Sequence, residues 1–72
     1  MGVLRKKFGK RLRTLRQTAG LSQEMLADKA DLSVDFLSLI ERGINSPSFE
    51  SLEKISRALS LDVGELFRFD NK

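Results

Sequence analysis

The stretch "SQEMLADKADLSVDFLSLIERG", residues 22–43, decides how this 72-residue chain folds. Its own punctuation divides it into two short helical runs. Ser22 is a good N-cap, because its side-chain oxygen can accept from a backbone N–H that the first helical turn leaves unpaired. Leu26, Ala27 and Ala30 then recur on one face. Asp31 and Leu32 make a turn, Ser33 caps the second run, and Phe36, Leu37 and Ile40 line its inner side as far as Arg42. Gly43 supplies the left-handed backbone that ends a helix. Two capped helices joined by so short a turn form a helix-turn-helix arrangement.

Apolar spacing is helical on both sides of that stretch. Leu4, Phe8, Leu12, Leu15 and Ala19 step by one helical turn and predict a first helix over about 3–19, with Lys6, Lys10, Arg13 and Gln17 opposite. Gly20 stops it. Gly9 costs about 1 kcal/mol inside a helix, so its presence suits a close approach to another element. Ser48 caps a fourth helix over about 49–59, with Phe49, Leu52, Ile55 and Leu59 as its inward stripe. Asp62 and Glu65 have capping-box spacing for a short fifth helix over about 63–68. With helix 2 over about 23–30 and helix 3 over about 34–42, the expected fold is all-α: five short helices in one compact domain, 1–72. No strand is evident.

Composition narrows the function. There is no cysteine and no histidine, which removes disulfides, cysteine–histidine zinc sites and histidine general bases. No metal, cofactor or small-molecule ligand is implied. Apolar runs are two or three residues long, too short for a membrane span. No paired carboxylates, glycine-rich phosphate loop or nucleophile–base set stands out, so no catalytic residue is assigned and an enzyme is not expected. Charge is uneven. Residues 1–22 hold seven bases and no acid, whereas residues 23–72 hold six bases and ten acids. A solvated helix face would explain the basic segment, and so would a phosphate-rich partner.

Specific motifs sharpen this reading. "LRQTAGLSQEMLA" at 15–27, "IERG" at 40–43 and "SPSFESLEKISRAL" at 46–59, in their mutual spacing, closely resemble the Cro and phage-repressor type of helix-turn-helix domain, the XRE family with its lambda-repressor-like fold. The resemblance spans Phe8 to Phe67. It implies a cytoplasmic transcription regulator, bacterial or phage-encoded, that binds double-stranded DNA as a homodimer at a near-palindromic site. Helix 3 would enter the major groove, with Val34, Asp35, Ser38 and Leu39 at the base edges. Lys10, Arg13, Gln23, Ser33, Arg42, Asn45 and Ser46 would meet phosphates. Arg16 and Glu41 would form a structural ion pair, and Val63, Phe67 and Phe69 a dimer interface. One departure stands out: Asp31 to Leu39 contains no Lys, Arg, Asn or Gln and carries two acids. Such a helix reads thymine methyl groups, cytosine amino groups and shape more than it attracts DNA. The same feature leaves open a protein-interaction module, or an antitoxin-like adaptor on the same fold.

Overall fold

The computed structural model describes residues 3–69. Four α-helices and one 3-10 helix follow one another: α1 Val3–Thr18, α2 Gln23–Ala30, α3 Val34–Glu41, α4 Phe49–Leu59 and the 3-10 turn Val63–Phe67. The described residues contain no strand. The fifth element is therefore a 3-10 turn, where a fifth α-helix was expected. Its capping box is also absent. Asp62 makes no side-chain cap, and the Glu65 carboxylate instead accepts from Arg11 and Arg68, each at 3.3 Å.

The helices are short, and each is closed locally. Ser22, Ser33 and Ser48 each accept, at 3.0 Å, the N–H of the residue three positions on. All four α-helices end alike. The residue after the C-cap turns left-handed, or the C-cap itself does, at Gly20, Asp31, Gly43 and Ser60. The next residue is apolar, and its N–H returns to a carbonyl five residues back: Leu21 to Arg16, Leu32 to Ala27, Ile44 to Leu39 and Leu61 to Ser56. This is the Schellman closure, which satisfies carbonyls that a helix end leaves unpaired. Asp31 and Ser60 adopt it without being glycine, at φ 57° and 58°, so their backbones carry strain that glycine would relieve.

One core joins all five elements. Phe8, Leu12, Leu26, Leu37, Ile40, Ile55 and Leu66 are its large members. The inner line of α1 is only in part the apolar stripe read from spacing: Phe8 and Leu12 belong to both, and Leu15 packs partly on the core. Phe8, Gly9, Leu12 and Arg16 are buried, while Leu4 and Ala19 are exposed. Gly9 lies under α3: a Cβ there would stand 2.5 Å from the Ile40 carbonyl oxygen and 2.6 Å from that of Glu41. In α4 the inward set is Ser51, Leu52, Ile55 and Ser56. Phe49, expected inward, is 88% exposed; it falls on the flank of the buried arc, in the first turn.

Alanine normally improves a helix by about 1 kcal/mol over glycine. Gly9→Ala is expected to destabilise the protein nonetheless, by about 1–3 kcal/mol, because backbone carbonyls must give way. Gly64→Ala meets nothing within 4 Å and should be neutral or slightly stabilising. Urea unfolding of the two variants checks the contrast.

Candidate nucleic-acid interface

Three bonds to one carboxylate fix α3. Arg16 donates through Nε to Glu41 Oε2 at 2.6 Å and through Nη2 to Oε1 at 3.1 Å. Gln23 Nε2 donates to the same Oε1 at 2.9 Å. Arg16 Nη1 also reaches the Leu21 carbonyl at 2.9 Å. The pair is buried, with side-chain exposures of 10% and 2%. A glutamate at the end of a helix opposes the helix dipole, so its position is explained by the arginine that receives it. The cluster binds α1, the α1–α2 connection, the first turn of α2 and the last residue of α3 to one another.

A second tie runs parallel to the first. Arg5 Nη1 donates to the Ile44 carbonyl at 2.9 Å, and Lys6 lies so close to Gly43 that a Cβ there would sit 2.9 Å from Lys6 Cγ. Thus α1 holds both the end of α3 and the loop that follows. A third tie uses Arg11, whose Nε donates to the Glu65 carbonyl at 3.0 Å. Sequence reasoning did not identify Arg5 and Arg11 as internal donors. For Arg5 a signal was available: Arg5, Gly9, Leu12 and Arg16 are spaced by four, three and four residues.

The other face of α3 is uncovered by the described residues. Leu37, Ile40 and Glu41 are buried. Asp35 and Arg42 are exposed, and Ser38 and Leu39 are half-buried. Val34 is half-buried against the core, so it belongs to the flank of the outward set. Among the residues considered for phosphate, Lys10, Arg13, Ser33, Arg42 and Ser46 are exposed, and Gln23 and Asn45 half-buried. Two already have internal duties. Gln23 uses a donor on Glu41, and the Ser33 hydroxyl caps α3. In the loop, the backbone N–H groups of Ile44 and Asn45 both go to the Leu39 carbonyl, at 2.9 and 3.2 Å. At the C-terminal end, Val63 and Phe67 are each 38% exposed, whereas Phe69 packs partly on the core and edge-on to Phe67 at 6.2 Å.

The helix-turn-helix family profile matches residues 12–66. The chain belongs to the XRE-type helix-turn-helix family. This helix-turn-helix protein is 40% identical to control protein C.BamHI of Bacillus amyloliquefaciens over 63 residues, which are 86% of this chain and 78% of that one. Control protein C.MunI of a Mycoplasma species is 40% identical over 68 residues, 93% and 92% of the two chains. The crystal structure of the restriction-modification controller protein C.AhdI from Aeromonas hydrophila superposes with a TM-score of 0.86 at 41% identity, covering 88% of this chain and 96% of that one.

Because the buried carboxylate would be left without its cation, Arg16→Ala is expected to cost about 3–5 kcal/mol. Arg13→Ala, at an exposed position, should cost within about 0.5 kcal/mol. Thermal melts should therefore rank Arg16 first among the arginines, and a smaller loss at Arg16 than at Arg5 or Arg11 would contradict this account of the site.

Proposed function

We propose that this helix-turn-helix protein is a sequence-specific DNA-binding transcription regulator of the controller or repressor type. It binds a near-palindromic site as a homodimer, with α3 in the major groove. The observation that carries this reading is the division of labour on α3. One face is held by the buried Arg16–Glu41 pair, while Asp35, Ser38, Leu39 and Arg42 remain accessible on the other. Similarity to control proteins over most of their length favours the controller type, the regulator of a restriction–modification system.

In this mechanism phosphates supply affinity and bases supply preference. Lys10 and Arg13 on α1, with Arg42, Asn45 and Ser46 after the recognition face, contact the sugar-phosphate backbone. Asp35 accepts from a cytosine amino group, Leu39 and Val34 pack on thymine methyl groups, and Ser38 serves either kind of edge. Gln23 contributes its second amide N–H at the α2 N-terminus, where the helix dipole favours an anion. A homodimer formed through Val63, Phe67 and Phe69 sets two copies of α3 one DNA turn apart, roughly 34–36 Å.

The acidic, apolar start of α3 favours a second reading, a protein-docking module that has kept the fold and lost base readout. Selection from a random duplex library separates the two. The regulator yields an enriched site with two inverted half-sites; the docking module yields none. On the selected duplex, Lys10→Ala or Arg13→Ala should lower affinity for all sequences alike and reduce the salt slope by about one. Asp35→Ala or Leu39→Ala should change which bases are preferred, with a discrimination loss of about 1–3 kcal/mol at the affected position. Unchanged preference in both α3 variants would contradict base reading by this helix.

A further inference from the structure

The loop between α3 and α4 is fixed at both ends and at one peptide between them. At its start, the N–H groups of Ile44 and Asn45 return to the Leu39 carbonyl. At its far end, the Ser48 hydroxyl caps α4. In between, Arg5 reaches across from the first turn of α1 and donates from Nη1 to the Ile44 carbonyl at 2.9 Å. The Ile44 carbonyl and the Asn45 N–H belong to one peptide unit, and a peptide unit is planar. Arg5 therefore holds one edge of that plane, while the Leu39 carbonyl, at 3.2 Å, holds the other. Lys6, the next residue of α1, packs against Gly43 just upstream.

The bond carries little of the fold. Arg5 and Ile44 are both exposed, so water can replace either partner at small cost in stability. In this Arg5 differs from Arg16, whose carboxylate partner is buried. What the bond does fix is the direction in which Asn45 leaves the backbone. Neither Asn45 nor Ser46 uses its side chain in a hydrogen bond among the described residues. Their polar groups are free for a partner outside the chain.

We propose that Arg5 is a positioning residue for DNA binding: by holding the Ile44–Asn45 peptide it aims Asn45, and Ser46 after it, at the phosphate backbone, without touching DNA itself. The inference rests on the reading above that this loop meets phosphate. Hydrogen bonds to phosphate depend on direction as well as distance. A loop whose peptide plane is free to turn must be ordered on binding, and that ordering costs affinity. A guanidinium suits the task, because its charge strengthens the bond to the carbonyl and its length spans the gap from α1. One base of the positive segment thus serves DNA binding from within the protein.

Arg5→Met keeps most of the apolar stem and removes the donors. Its melting temperature should stay close to that of the parent, and the backbone amide order parameter of Asn45, measured without DNA, should fall. On the duplex selected by the parent protein, its affinity should drop about three- to tenfold. The salt dependence should keep its slope, because no charged contact to phosphate is lost. In a protein already carrying Asn45→Ala and Ser46→Ala, the same change at Arg5 should alter affinity by less than about twofold. A slope reduced by about one would make Arg5 a phosphate contact in its own right and overturn the proposal. So would a full loss in the Asn45→Ala, Ser46→Ala background, or a loss that weaker self-association in sedimentation accounts for entirely. Unchanged affinity and an unchanged Asn45 order parameter would overturn it while leaving the regulator reading intact. If the parent selects no duplex, the regulator reading itself fails and this inference falls with it.

Discussion

A carboxylate that receives three hydrogen bonds in a nearly dry site sets the position of α3. Glu41 ends α3, and α3 is only eight residues long. A helix of that length is marginal in water by its own propensity. It has its place because Arg16 and Gln23 hold one end, Ser33 caps the other, and Leu37 and Ile40 fill the core between them. Ionic and apolar contributions differ in kind here. The leucines and isoleucine supply most of the favourable free energy, whereas the ion pair penalises any arrangement that leaves it unmatched. A total stability of about 5–15 kcal/mol leaves little room for such a mismatch.

Local closure performs the complementary task. Each serine cap contributes about 1 kcal/mol, and each Schellman turn satisfies carbonyls that would otherwise need water. In a molecule whose connections are a few residues long, these devices fix where one helix stops and the next begins. Two of the four left-handed positions are occupied by Asp31 and Ser60. The fold therefore tolerates backbone strain at the ends of α2 and α4, two helices that pack against each other.

Much of this was legible in the sequence, and the misses have a shared cause. The all-α class, the helix-turn-helix and the serine caps are written in side-chain types and spacing. The fifth element was read as a helix because capping-box spacing was present; the Glu65 carboxylate was drawn instead to Arg11 and Arg68. The inner line of α1 was misread in part because one of its members is an arginine and one a glycine. A search for apolar periodicity ranks Leu4 above Arg5, although Arg5, itself exposed, bonds the loop after α3 and Leu4 lies outside the buried line. Phe49 failed the same test in the other direction: an aromatic at helical spacing counted as core, while small Ser51 and Ser56 took the buried positions. Ser60 escaped notice because a left-handed helix end was expected at glycine, yet an apolar residue, here Leu61, follows all four helix ends.

The positively charged segment is less available to DNA than its composition suggests. Of its seven bases, Arg5, Arg11 and Arg16 already make internal hydrogen bonds. Part of the basic segment thus builds the site, and the remainder faces solvent. The account stands or falls on Arg16 and Glu41 acting as one unit. The direct measurement is a double-mutant cycle on unfolding free energy, using Arg16→Met, Glu41→Leu and the pair together. The account predicts a coupling of about 2–3 kcal/mol, with the double variant more stable than the sum of the single losses. Losses that add to within about 0.5 kcal/mol would contradict it.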